Sequence, residues 1–181
     1  MLIEEHLRER GLDLSKIKPL LGEGVATFLL WNLSGQVVGY QHYNPLGTKA
    51  FNQKKADRSL MKYFTYVSGH KETNDKKIGV WGLETYNVKV KRIFITEGIF
   101  DAAPFHLLGE CALATLSNDP HKSVCQWIKG LPQEKIVISD NDGAGTKLEK
   151  LGDRSVKVSA YKDVGELWES GNFLEWFKKN F

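Results

Sequence analysis

The stretch KIVISDNDGAGTKLEKLG, residues Lys135 to Gly152, opens as an apolar run and then places two aspartates, Asp140 and Asp142, where that run stops. A short run that is apolar on both faces predicts a strand buried inside a parallel sheet. Gly143 and Gly145 let the chain turn tightly into the helix expected through TKLEKLG. Residues two apart in an extended chain share a face, so Asp140 and Asp142 can aim at one point while Asn141 faces away.

The same rhythm surrounds this stretch from Lys91 onward. KRIFITEG predicts a strand ending near Thr96, IFDAAPFHLLG a helix up to Gly109, and CALATLSN the next strand. A helix from about His121 to Lys129, the strand IVISD, the TKLEKLG helix, the strand VKVSAY and an aromatic C-terminal helix follow. Strands alternating with helices predict an α/β domain over 91–181, with a parallel sheet covered on both faces. Residues 1–90 read differently, as a small α+β subdomain with mixed strands. A helix is expected from Ile3 to about Arg10 and a second, short one over Asp13 to Leu21. VATFLLWNL (Val25 to Leu33) and QVVGYQHY (Gln36 to Tyr43) form a hairpin about Ser34-Gly35. Asn44 to Ser59 reads as a basic loop, KYFTYVSG (Lys62 to Gly69) as a strand, and IGVWGLE (Ile78 to Glu84) closes the half. The boundary near residue 90 has no Pro/Gly-rich linker, so the halves are expected to pack together.

A chain of 181 residues suits one medium domain or two small ones. With 41% apolar and 26% charged residues and no apolar run of membrane-spanning length, it reads as soluble and globular. MLIEEHLRERG lacks the apolar centre of a secretory signal, so a cytoplasmic location is expected, or host cytoplasm for a phage protein. The two cysteines, Cys111 and Cys125, form no Cys-x-x-Cys pair. His106 is expected to end a helix, Cys111 to open a strand, and His121 and Cys125 to lie on the next helix, places that need not converge, which argues against a zinc site. The net charge of +3 hides an asymmetry: residues 49–91 carry 10 Lys and Arg against 4 Asp and Glu. That imbalance suits a surface facing a polyanion, and equally a solvated lysine-rich loop.

Ligands of parallel sheets bind beyond the C-terminal strand ends, and acids cluster there in this chain. Glu97 follows RIFIT, Asp140 and Asp142 follow IVIS, and Asp163 follows VKVSAYK. Converging carboxylates repel one another unless a cation joins them, and an all-oxygen set favours Mg²⁺ or Mn²⁺. Any one of these acids, and Asp101 after Glu97, could instead cap the helix that follows. Asn118, after the second strand, lies at the same edge as a substrate contact or a plain loop residue. Leu167, Trp168, Leu174, Phe177 and Phe181 stand near helical spacing, which suits packing on the sheet.

TEGIFDA (Thr96 to Ala102), followed 43 residues after Glu97 by DNDGAG (Asp140 to Gly145), resembles the Toprim domain of bacterial-type primases, topoisomerases and small nucleases. Within that family DGAG and KDVGEL (Lys162 to Leu167) look most like the DnaG-type primases of bacteria and phages, although Gly165 replaces the second acid of their Lys-Asp-Pro-Asp-Glu-Leu. GQVVGYQHYNPLG, MKYF and GVWGLE resemble further primase segments, with Tyr43 about where those primases have an arginine.

The resemblance implies a Toprim-like fold and a primase catalytic core. Glu97, Asp140 and Asp142 would be catalytic and, with Asp163, hold Mg²⁺ or Mn²⁺ against an incoming nucleoside triphosphate. Lys49, Lys54, Lys55, Arg58 and Lys62 would contact nucleotide or a single-stranded DNA template, and Tyr63, Phe64 or Tyr66 would stack bases or serve as strand core. The chain shows no zinc-binding module, helical bundle or helicase domain, so a replicative helicase and a separate zinc-binding module are expected partners. The alternatives are a Toprim nuclease acting on DNA or RNA and a non-catalytic nucleic-acid-binding replisome module.

Overall fold

Alternate side chains of Val25–Trp31 are buried (Ala26, Phe28, Leu30), the period of a strand with one face on a core. The computed structural model describes residues 2–49, 57, 60–68, 78–141 and 146–181. Its first sheet is antiparallel, in the order β1 (Leu20–Gly22), β2 (Val25–Trp31), β3 (Val37–Tyr43), β4 (Tyr63–Val67). The hairpin between β2 and β3 turns at Gly35, whose φ of 72° is a conformation glycine adopts without strain. Gly39 sits where β3 and β4 come closest: an added Cβ would lie 2.1 Å from the Tyr66 carbonyl oxygen. Gly39→Ala is therefore expected to push β4 outward and cost more than about 2 kcal/mol. Calorimetry should show the midpoint falling by roughly 4–8 °C, whereas an unchanged midpoint would mean that β4 yields freely.

The helix predicted at Ile3 forms as α1 (Ile3–Glu9). The second helix, expected over Asp13 to Leu21, does not form. The amides of Lys16 and Ile17 donate to the Asp13 carbonyl in a single turn, and the chain then extends into β1. Two residues account for this. The Asp13 carboxylate accepts the Ser15 amide, a local bond that competes with helix, and Pro19 holds Lys18 out of helical conformation.

The second sheet is parallel, ordered β6 (Cys111–Ala114), β5 (Arg92–Thr96), β7 (Glu134–Ser139), β8 (Arg154–Lys157). Among the described residues five helices flank it: α2 (Ile99–Leu107), α3 (Lys122–Gly130), α4 (Thr146–Glu149), α5 (Val164–Glu169) and α6 (Phe173–Asn180). Both faces are covered, as the apolar strands predict. Ile93, Ile95 and Leu113 pack with Val124 and Ile128 of α3, while Phe94, Ala112 and Ile136 join the cluster that includes α2 and α5. β8 ends at Lys157, short of the predicted VKVSAY strand, and the chain then turns, the Val158 carbonyl accepting the Tyr161 amide. The aromatic C-terminal helix is two helices, broken at Gly171 with φ of 78°. Phe173, Phe177 and Phe181 pack on Phe94 and Phe105, and Arg92 lies over the rings of Phe177 and Phe181 while pairing with Glu110. Among the described residues no helix is long and apolar enough to cross a membrane.

Ile78 to Glu84, which closes the first half of the chain, links the two sheets. Val80 makes a single bridge to Trp31, Trp81 a single bridge to Ala114, and a 3-10 turn follows over Leu83–Thr85. Gly82, at φ of 88°, ends the extension. These two bridges join the antiparallel sheet to the parallel one. Trp81 is fully buried, edge-on to Phe28 and stacked on His106. One core accordingly runs through both halves, from Leu7 and Tyr43 to Phe100 and Leu167.

Candidate active site

Backbone bonds at the C-terminal edge of the parallel sheet decide where the acids go. Glu97 follows β5, and its carbonyl accepts the Leu116 amide at 2.8 Å, tying it to the segment after β6. Asp140 follows β7. Asn141 turns away, as the strand period predicts, donating its amide to the Lys162 carbonyl and its side-chain amide to the Ser159 carbonyl. Asp163 caps α5 by accepting the Glu166 amide at 2.8 Å. It stands six residues past β8 rather than at the strand end, yet it still reaches the site. Capping and site membership are thus both true of this residue.

These elements surround a cavity of about 370 Å³ lined by Glu97, Asp101, Asp140 and Asp163. The antiparallel sheet supplies the opposite wall through Gln41, Tyr63 and Thr65, with Arg10 and Lys49 also present. The Gln41 side-chain amide donates to the Thr65 hydroxyl at 2.9 Å, which orients that wall. The cavity therefore lies between the two sheets.

Asp101 is the residue whose importance the sequence understates. It reads as a first-turn helix residue, yet its Oδ1 crosses to accept the Gly165 amide at 3.0 Å. Burial first, and then the charges of Asp140 and Asp163, push its pKa up to about 7. A Cβ at Gly98 would lie 2.5 Å from Asp101 Oδ2, so glycine at this position makes room for the carboxylate. Arg10 is the second such residue. Its guanidinium stacks 4.4 Å from the Phe100 ring centre, pairs with Glu169 at 3.0 Å, and approaches the position a Gly165 Cβ would take to 3.2 Å. The one sequence signal for Asp101 is its spacing of one helical turn from Glu97. Arg10 has none, because only folding brings α1 against α5.

Of the predicted site residues, Glu97, Asp140, Asp163 and Lys49 meet at the cavity. Asp142, Arg58, Lys54 and Lys55 lie outside the described residues. Lys62 and Asn118 do not line the cavity: Lys62 is half-buried with its amide on the Thr48 carbonyl, and Asn118 is half-buried in the loop after β6. Tyr43 is buried with its hydroxyl 2.8 Å from His6 Nε2 and its ring on Tyr63, whose own hydroxyl burial pushes up to about 12. His106 bonds the Ala112 carbonyl through Nε2, and His121 caps α3 through Nδ1. Among the described residues no three His, Cys, Asp or Glu side chains stand close enough to hold a metal ion, so the predicted ligand set depends on Asp142. The donor chemistry nevertheless fits a hard divalent cation. The charges of Asp140 and Asp163, which after burial raise the Asp101 pKa, are what such an ion relieves, and among the described residues no sulfur or imidazole lines the cavity.

A parallel sheet in the order β6-β5-β7-β8 with acids beyond its strand ends, joined to an antiparallel sheet across a cavity, is the Toprim-containing fold of DnaG-type primase catalytic cores. Solved structures share this fold. The chain superposes on the zinc-binding and RNA polymerase domains of Aquifex aeolicus primase with a TM-score of 0.64 at 16% identity, covering 97% of itself and 54% of that structure. For the DnaG catalytic core the values are 0.63, 17%, 97% and 72%. For the primase fragment of the bacteriophage T7 primase-helicase they are 0.62, 17%, 96% and 73%. The chain thus spans about half of the Aquifex structure, and at these identities the likeness is one of fold. No protein-family model matches the chain, nor does any curated protein by sequence.

Proposed function

We propose that this protein is a primase-like nucleotidyltransferase, dependent on Mg²⁺ or Mn²⁺, that makes short RNA primers on single-stranded DNA during replication. The observation that carries the reading is the two-walled cavity: carboxylates beyond the parallel sheet face the polar side chains Gln41, Tyr63 and Thr65 of the other sheet, with Arg10, Lys49 and Lys162 also lining it. A nuclease needs the acids, whereas a polymerase also needs a wall to hold the nucleotide. Glu97, Asp140 and Asp142, with Asp163, would hold the metal, which when bound supplies Lewis-acid stabilisation of the transferring phosphoryl group. Glu97 would take the proton of the attacking 3′-hydroxyl as it bonds the α-phosphorus and pyrophosphate leaves. Arg10, Lys49 and Lys162, which line the cavity, would match the triphosphate charge. Lys49, Arg58 and Lys62 would contact template phosphates, and Asn118 remains a candidate contact at the strand-end edge. By analogy with the zinc-binding domain of the Aquifex structure and the T7 primase-helicase, a zinc-binding module and a replicative helicase are the proposed partners.

The test incubates the protein with single-stranded DNA, Mg²⁺ or Mn²⁺ and labelled nucleoside triphosphates. Template-dependent short RNA is the expected product. A shortened template with no RNA would replace this reading with the nuclease, and binding without either product would replace it with the non-catalytic module.

A further inference from the structure

We infer that the free edge of β1 and the groove beside it take an extended peptide of a partner protein, one with alternating apolar residues flanked by lysine or arginine. β1 is the outermost strand of the antiparallel sheet, and among the described residues nothing pairs with its outer side. Such an edge presents backbone groups that another chain can use. The hairpin turns over Glu23-Gly24 with Gly22 opposite Val25. By the alternation of an antiparallel ladder, Leu21–Ala26 is then a non-hydrogen-bonded pair, and Leu21 turns its N–H and C=O to the open side. Ala26 is fully buried, so Leu21, opposite it, continues the inner face of the sheet. That continuation runs into solvent. Leu21 is 41% exposed and Leu2 70%, and between α1 and β1 lies a groove of about 360 Å³ lined by Leu2, Ile3, Glu4, Glu5, Arg8 and Leu21.

An antiparallel strand laid against β1 drops every second side chain into that groove beside Leu21, which is why the occupant carries apolar residues at alternate positions. Charge selects what flanks them. Glu4 and Glu5 line the groove, and Glu23 follows the end of the strand. Glu4 meets Arg8 only at 3.9 Å with both side chains exposed, and among the described residues no cation pairs with Glu5 or Glu23. These carboxylates repel phosphate, which excludes nucleic acid. They complement a lysine or arginine two residues from an apolar side chain, on the same face of the added strand. A second copy of the chain is the poorer occupant, because it brings the same acids to the groove. Three residues of strand preceded by Pro19, which has no N–H to give, are also the features by which edges resist pairing with themselves. A peptide that fills the groove draws on apolar contact as well as on the short ladder. No residue of the groove lines the carboxylate cavity, so the inference goes beyond the proposed activity and stands without it.

The test measures anisotropy of a labelled peptide, Lys-Thr-Leu-Thr-Leu-Thr-Lys, and of its counterpart with glutamate in place of both lysines. The basic peptide is expected to bind, and the acidic one at least about tenfold more weakly. Glu4→Lys combined with Glu5→Lys should reverse that order, which a loss of folding does not do. Leu21→Asp should weaken the basic peptide roughly tenfold or more. Methylating the leucine amides of the peptide, which face Leu21 in the expected register, should weaken binding, whereas methylating the threonine amides, which face away, should not. Glu97→Gln should bind the peptide like wild type. Melting curves identify variants that remain folded, and the charge reversal, made at two exposed positions, decides should Leu21→Asp unfold. Failure of the basic peptide to bind, equal binding of the two peptides, an unreversed order in the folded charge variant, or wild-type affinity in a folded Leu21→Asp would overturn the inference. So would a wild-type dimer in sedimentation that Leu21→Asp separates, since a second copy would then hold the edge, and so would displacement of the peptide by an oligothymidylate. Peptide binding without primer synthesis would leave this inference standing and sink only the proposed activity; primer synthesis without peptide binding would do the reverse.

Discussion

Glu97→Gln and Asp140→Asn are each expected to lower template-dependent RNA synthesis by at least about 100-fold while leaving the protein folded. Both residues follow parallel strands and reach the cavity, and both substitutions keep size while removing the charge that a divalent ion and its triphosphate require. Melting should separate loss of function from loss of fold. Asp140→Asn removes one of the charges that raise the Asp101 pKa, so this variant should melt no lower than wild type at neutral pH. A variant with near wild-type synthesis would remove that residue from the chemistry. One that melts far below wild type would show that it serves the fold instead.

Asp101→Asn carries the second large expectation, in stability against pH. The Asp101 pKa rises from an ordinary 3.8 to about 7 on folding, through burial first and then through Asp140 and Asp163. A raised carboxyl pKa means that the folded protein holds this proton more tightly than the unfolded chain. The contribution is therefore fully present below pH 3.8 and is lost as pH rises through about 7. Asparagine keeps an oxygen for the Gly165 amide and has no charge to bury. The variant should gain about 2 kcal/mol over wild type above neutrality, after allowance for the water that reaches the cavity, or roughly 4–8 °C in midpoint. Below about pH 4 the two should converge. His106 complicates the wild-type curve, because burial pushes its pKa down to about 4 and costs stability as pH falls below 6.5. The comparison with Asp101→Asn cancels that contribution. A gain that does not depend on pH would mean that Asp101 is not the charge being buried.

The α/β half was the most legible part of the chain. β5, β6, β7 and their helices stand close to where apolar runs and glycines predicted them, since a strand covered on both faces has few other ways to hide its side chains. Asp13 to Leu21 misread as helix because apolar spacing outweighed the side-chain bond of Asp13 and the restriction before Pro19. The conformation of Ile78 to Glu84 was not legible because its apolar residues fill the space between two sheets, a burial that periodicity cannot tell from a ladder.

The sequence by itself determined that Glu97 and Asp140 follow parallel strands, because an apolar run and its end are local features of the chain. Tertiary structure alone decided that Asp101 reaches Gly165, that Arg10 crosses from α1 to stand over Phe100, and that Lys62 and Asn118 fall outside the cavity. It also divided the aromatics of β4, sending Tyr63 to the cavity and Phe64 and Tyr66 to the other face. The reason is physical: periodicity sets direction within one element, whereas the distance between remote elements depends on how their apolar faces pack together.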